Sequence, residues 1–306
     1  MEGIYVNLLG LRIAVSFTGL VGNVCLILSI IHVKWSHIKS FEVFLLGLAA
    51  ANLEEIVILN VYDAFMLQTS SSDTWWCRFL KFMTMFGETA SIFFTVIISI
   101  FRYQKLGVSL SVHPDRIGVA QLLSGVCVMF SFLLSFPVVA IKPAALTESA
   151  ANNSGGGCPA DSFHCGKNYC PAPNRAYKYL FILVSYLLPL IVITVTNCLI
   201  LAVLLVQRRT ITPEISVHQS NHSHTNGRDL RFQHSMMAVV AAMGLFLVNW
   251  TFYLLFLFLL KPNNLPSWRE IEFFTLTSYS CFSPYVYGIG HNLFSLENFK
   301  IIRNKF

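Results

Sequence analysis

Lys81, Thr84 and Glu88 recur at three- and four-residue steps within a long apolar stretch, so on a helix they share one face. A carboxylate in lipid must be protonated, paired or wetted by a cavity, which makes Glu88 a candidate either for a ligand pocket or for a structural ion pair. It lies eleven residues, about 16 Å of helix, from Cys77. At the far end of the same stretch stands Phe101-Arg102-Tyr103. An arginine ending a membrane helix is costly unless it meets water or a polar partner. A cysteine at the opposite end points to an oxidising compartment. The helix therefore orients itself, with Cys77 outside and Arg102 inside.

Other polar groups sit in equally apolar surroundings. Asn23 follows Gly22, which lets helices approach closely, and Asn52 and Ser283 (beside Pro284) fall at comparable depth. Interhelical hydrogen bonds from such groups are worth roughly 0.6–2 kcal/mol each, and a polar cluster can rearrange between two helix packings. Glu54 and Glu55 are adjacent and so face different ways. Glu55 aligns with Asn52 on one side and with Leu59 and Asp63 on the other, and Glu55 and Asp63 are expected to face the interior. Arg12 is expected to snorkel to the interface. Trp250 and Tyr253, in an aromatic-rich stretch, are candidates for lining a pocket.

These residues require helices that cross a bilayer. The chain has 306 residues, of which 55% are hydrophobic and 12% charged. Average soluble domains carry about twice that charge fraction. Seven apolar stretches are long enough to span: Leu8–Val33, Ser40–Leu67, Trp76–Val108, Arg116–Ile141, Ala176–Val206, Leu230–Leu260 and Ile271–Gly290. Helices satisfy their own backbone in lipid, so the expected fold is all-α, a single seven-transmembrane helix bundle over residues 1–306. Pro137, Pro189 and Pro284 punctuate the fourth, fifth and seventh spans and permit bends.

With the N-terminus outside, more than half of the Lys and Arg fall on inner segments, as the positive-inside rule asks. The net charge of +6 includes no basic run with interleaved aromatics, so it faces anionic lipid headgroups rather than nucleic acid. Cys77, Cys158, Cys165 and Cys170 all fall outside, and Cys77 is expected to pair with Cys170 or Cys165, pinning the long outer loop over the bundle. Asn152 begins a glycosylation acceptor in that loop. The sequons at Asn221 (inner loop) and Asn249 (within a helix) are not expected to be modified. The first apolar run is too long for a cleavable signal core, so the first helix is expected to insert itself. After the seventh span, 291–303 alternates as a short amphipathic helix on the inner leaflet.

Catalysis finds no foothold, since no Ser-His-Asp set, metal-ligand spacing or phosphate loop converges, and no cofactor is implied. His218, His222 and His224 read as a solvated loop rather than a metal site. A transporter is the rival architecture, but no internal repeat is visible. A retinal pigment is set aside because Ile271–Gly290 contains no lysine.

Together the motifs resemble those of rhodopsin-like G-protein-coupled receptors over nearly the whole chain: Gly22-Asn23, Leu48-Ala49-Ala50-Ala51-Asn52, the Cys77–Arg102 spacing, Pro189, and Ser283-Pro284-Tyr285-Val286-Tyr287. The departures are Phe101 before the arginine, asparagine at 52, Ser-Pro in the seventh span, and no tryptophan in the fourth. Phe101, Asn52 and Ser-Pro resemble vomeronasal type-1 receptors and the related fish olfactory class A receptors. The short tail is also similar to bitter-taste-type receptors, though the Cys77 pairing and Ser283-Pro284 are not. The resemblance implies a plasma-membrane receptor of chemosensory neurons for a small-molecule ligand such as an odorant or pheromone. It further implies a heterotrimeric G protein of the Gi/Go class as partner. Arg102, Tyr103, Asn23, Asn52, Ser283, Pro284 and Tyr287 would form the switch. With no acidic residue at 101, Arg102 is expected to rest on other polar partners or to be held loosely.

Overall fold

The computed structural model describes residues 2–34, 38–68, 75–106, 117–140, 163, 170–211, 223–259 and 268–290. The described elements are helical, and seven spanning units pack into one bundle. They are α1 (Glu2–Lys34), α2 (Ser40–Gln68), α3 (Trp75–Lys105), α4 (Ile117–Ser135) with the short α5 (Pro137–Ala140), α6 (Ala172–Phe181) running through a π-helical segment (Ile182–Leu187) into α7 (Leu188–Ile211), α8 (Ser223–Leu259) and α9 (Trp268–Gly290). Five of these units are long and apolar enough to cross a membrane on length and composition alone. The polar groups Asn52, Glu54, Glu55, Ser280 and Ser283 sit on the remaining two, α2 and α9.

The three prolines behave differently. The fourth span, expected over Arg116–Ile141 with a bend at Pro137, breaks at Phe136, where α4 ends and Pro137 starts α5. Pro137 cannot donate, and it suits the first position of a new helix, where no donor is needed. Before Pro189 the fifth span widens into the π segment, which shifts the hydrogen-bond register where the proline removes a donor. Pro284 sits inside α9, whose helix continues past it.

The N-terminus of α2 is closed reciprocally. The Lys39 amide donates to Glu42 Oε2 at 3.0 Å, and the Glu42 amide donates to the Lys39 carbonyl at 2.9 Å. Close approach between helices is set by glycine. A methyl on Gly22 would stand 2.7 Å from the Tyr285 ring, and one on Gly87 would overlap the Glu54 carboxylate. These glycines allow α1 to seat on α9, and α3 on α2. The core runs from Leu26 and Leu45 through Ile98 to Met243 and Phe246, whereas α4 turns Leu122, Met129 and Leu133 outward toward lipid. The predicted C-terminal amphipathic helix, 291–303, lies outside the described residues, as do Asn152 and Cys165.

Candidate functional site

Arg102 ends α3 nearly covered, at 7% exposure. Its guanidinium carbon lies 3.6 Å from the centroid of the Phe41 ring, and Nη1 stands 3.9 Å from Met236 Sδ. The Phe41 ring is itself stacked on Phe101, with centroids 6.2 Å apart, and Phe44 meets Phe101 edge-on. Arg102 is therefore held in place and not loose. An aromatic face and a thioether take part in the hold, and Phe101 buttresses the aromatic face. Tyr103 is half-buried beside this group, and Tyr287 on α9 is fully buried.

Further into the bundle, four helices meet at Asn52. Its Nδ2 donates to Asn23 Oδ1 and to Ser283 Oγ, both at 3.2 Å, while Oδ1 accepts from Ser91 Oγ at 2.7 Å. Asn23 in turn donates to the carbonyls of Gly19 and Ser280 at 2.9 Å. Asn23, Asn52 and Ser283 are thus brought together as their common depth implied. Ser91 belongs with them but was not singled out from sequence, because serine in a membrane helix most often bonds its own carbonyls. Thr95, a turn below Ser91, bonds the Tyr279 hydroxyl at 2.8 Å.

Toward the outside, the candidate ligand residues divide. Lys81 and Glu88 are buried on α3, at 6% and 4% exposure, while Thr84 is half-buried and returns its hydroxyl to the Leu80 carbonyl at 3.0 Å. Trp250 and Tyr253 are buried and join Tyr186 of the π segment. Tyr186 stacks on Trp250 at 5.0 Å and meets Tyr253 edge-on at 5.5 Å. Phe181 continues this wall from Tyr186 to Tyr177 and to Phe163 of the outer loop. Asn174 donates to the Phe163 carbonyl at 3.1 Å. Tyr186 and Phe163 escaped sequence reasoning, since nothing local marks the π register or the loop residue that folds inward.

Residues 22–287 match the family described as the 7 transmembrane receptor (rhodopsin family). The chain belongs to that family. Like its other members it is a signalling receptor in a membrane, with a ligand and a G protein as partners, and not an enzyme. A curated relative of this receptor is the gonadotropin-releasing hormone receptor of Cavia porcellus, 24% identical over 270 residues that cover 83% of this chain and 78% of that one.

Within the receptor, two expectations fail. Arg12 does not snorkel: it pairs with Asp63 and lies over the Phe273 ring at 4.0 Å, so α1, α2 and α9 are clasped near their outer ends. Asp63 is accordingly spent on that seam instead of facing an interior pocket. Glu55 does face inward, at 2% exposure, but it accepts from Ser280 Oγ of α9 at 2.7 Å. A cavity of about 590 Å³ opens between α2, α3 and α4, lined by Gly47, Phe94, Ser124 and Phe132 among others, and it holds none of the ligand candidates. Cys77 and Cys170 are both disulfide-bonded, which fits an oxidising outer face.

Proposed function

We propose that this receptor is chemosensory, binding a small organic odorant or pheromone-like ligand in the outer half of the bundle and activating a Gi/Go-class G protein from the plasma membrane of a sensory neuron. The reading is carried by one observation. A buried carboxylate, Glu88, and a buried amine, Lys81, stand on α3 in a bundle whose outer half also carries a closed aromatic wall, Tyr186–Trp250–Tyr253. Small ligand sites are apolar and aromatic with few polar groups, and this composition matches that description. The resemblance of Phe101, Asn52 and Ser283-Pro284 to chemosensory receptors supports the ligand class and the G-protein class. Binding would favour one of two helix packings by its differential affinity for them.

A second reading is a receptor for a peptide hormone. It is favoured by the likeness to the gonadotropin-releasing hormone receptor of Cavia porcellus, whose name states a hormone ligand. One experiment separates the two. The receptor, expressed with a chimeric G protein, is challenged with small organic acids, amines and steroids and, in parallel, with short amidated peptides, with Glu88→Gln beside wild type. A response to small molecules that falls at least tenfold in potency in Glu88→Gln at equal surface expression is the expected result. A response to peptides alone would replace the chemosensory reading with the hormone reading.

A further inference from the structure

Arg102 stands at the cytoplasmic end of α3 and yet is almost wholly covered. A guanidinium gives up water only where other groups replace it, and here two of the replacements come from neighbouring helices. Phe41 of α2 offers its ring face at 3.6 Å, and Met236 of α8 its sulfur at 3.9 Å. Phe41 is held firmly in turn. Phe101 stacks against it with rings 22° from parallel, Phe44 closes on Phe101 from the edge, and the Lys39–Glu42 cap fixes the helical turn that carries it. Phe101 occupies the place where a carboxylate would pair with the arginine. In this chain it instead supports the ring that covers the arginine.

We propose that Phe41, buttressed by Phe101, and Met236 form an aromatic–thioether clamp that positions Arg102 in the resting packing and ties the inner ends of α2, α3 and α8 together. Cation–π attraction strengthens as the cation is desolvated, so the clamp is strongest while the helices are closed and weakens once water enters between α3 and α8. Moving α8 away removes Met236 and frees Arg102 for a cytoplasmic partner. Phe41 and Met236 are positioning residues: they act through Arg102. The clamp deepens the reading of Arg102 as the coupling residue and rests on it.

The test uses the full chain in lipid nanodiscs, with nitroxide-bearing unnatural amino acids at positions 105 and 237, both exposed. Pulsed electron–electron resonance reads their separation without ligand, and nucleotide exchange is followed on a panel of purified heterotrimeric G proteins. Phe41→Leu, which keeps apolar bulk but loses the ring, is expected to raise the long-distance population and basal exchange about tenfold. Phe41→Trp is expected to restore the wild-type distribution. A longer distance with no exchange on any G protein would uphold the clamp and count against the coupling reading. An unchanged distance in Phe41→Leu melting at the wild-type temperature would overturn the clamp. If that variant does not reach the membrane, Met236→Leu, which keeps volume and removes the sulfur, reads the other contact of the clamp with the same two outcomes.

Discussion

Asn52 stands where four helices meet. One amide serves Asn23 on α1, Ser283 on α9 and Ser91 on α3, so one substitution reaches four helices at once. In membranes such bonds average about 0.6 kcal/mol, with an upper end near 1.7 kcal/mol. Asn52→Ala is therefore expected to lower stability by about 1–3 kcal/mol, because partners left buried without a bond add to the loss. Ser91→Ala, which removes one bond, is expected to cost about 0.6 kcal/mol. Melting of the purified receptor in detergent reads both, and an Asn52→Ala protein melting with wild type would show that the network contributes nothing. At the same scale, the pairing of Arg12 is not legible along the chain. Its partner Asp63 lies 51 positions away, and only packing of α1 against α2 reveals the pair.

Helices here meet by subtraction of side chains. Gly87 admits Glu54 to the α2–α3 seam so tightly that a single methyl would overlap the carboxylate. Gly87→Ala is expected to destabilise the receptor by about 1–3 kcal/mol through overpacking. The second-site change Glu54→Ala should recover most of that loss, whereas Glu54→Gln, of equal size, should not. Equal melting of the two double variants would place the strain elsewhere. The spans themselves were readable because lipid forces every backbone group into a helix, and runs of apolar residues then announce each one. Their interruptions were readable only in part. Proline signals a lost donor, but whether the chain answers with a break, as at Pro137, or with a π segment, as before Pro189, depends on what the neighbouring helices need to bury.

Taken whole, the receptor is a closed bundle with a clasp at each end. Arg12–Asp63 with Phe273 joins α1, α2 and α9 outside, and Arg102 with Phe41 and Met236 joins α2, α3 and α8 inside. This arrangement needs Cys77 and Trp75 outside and Lys105 inside. A membrane-impermeant thiol reagent is expected to label Trp75→Cys in intact cells and Lys105→Cys only after permeabilisation, each against the unlabelled parent. Labelling in the opposite order would invert the topology and, with it, the roles of the two clasps.

The sequence by itself determined the class of molecule. Seven apolar runs, an outward cysteine and an inward arginine follow from the energetics of charge and backbone in lipid, which act locally and are written along the chain. It also placed Asn23, Asn52 and Ser283 at a common depth, since a helix rises a constant distance per residue. Tertiary structure decided the partners. Whether Glu55 meets Ser280, Asp63 meets Arg12, or Arg102 meets Phe41 depends on the rotation and approach of separate helices. Those are set by glycine contacts and side-chain packing summed across the bundle, and no single segment carries them.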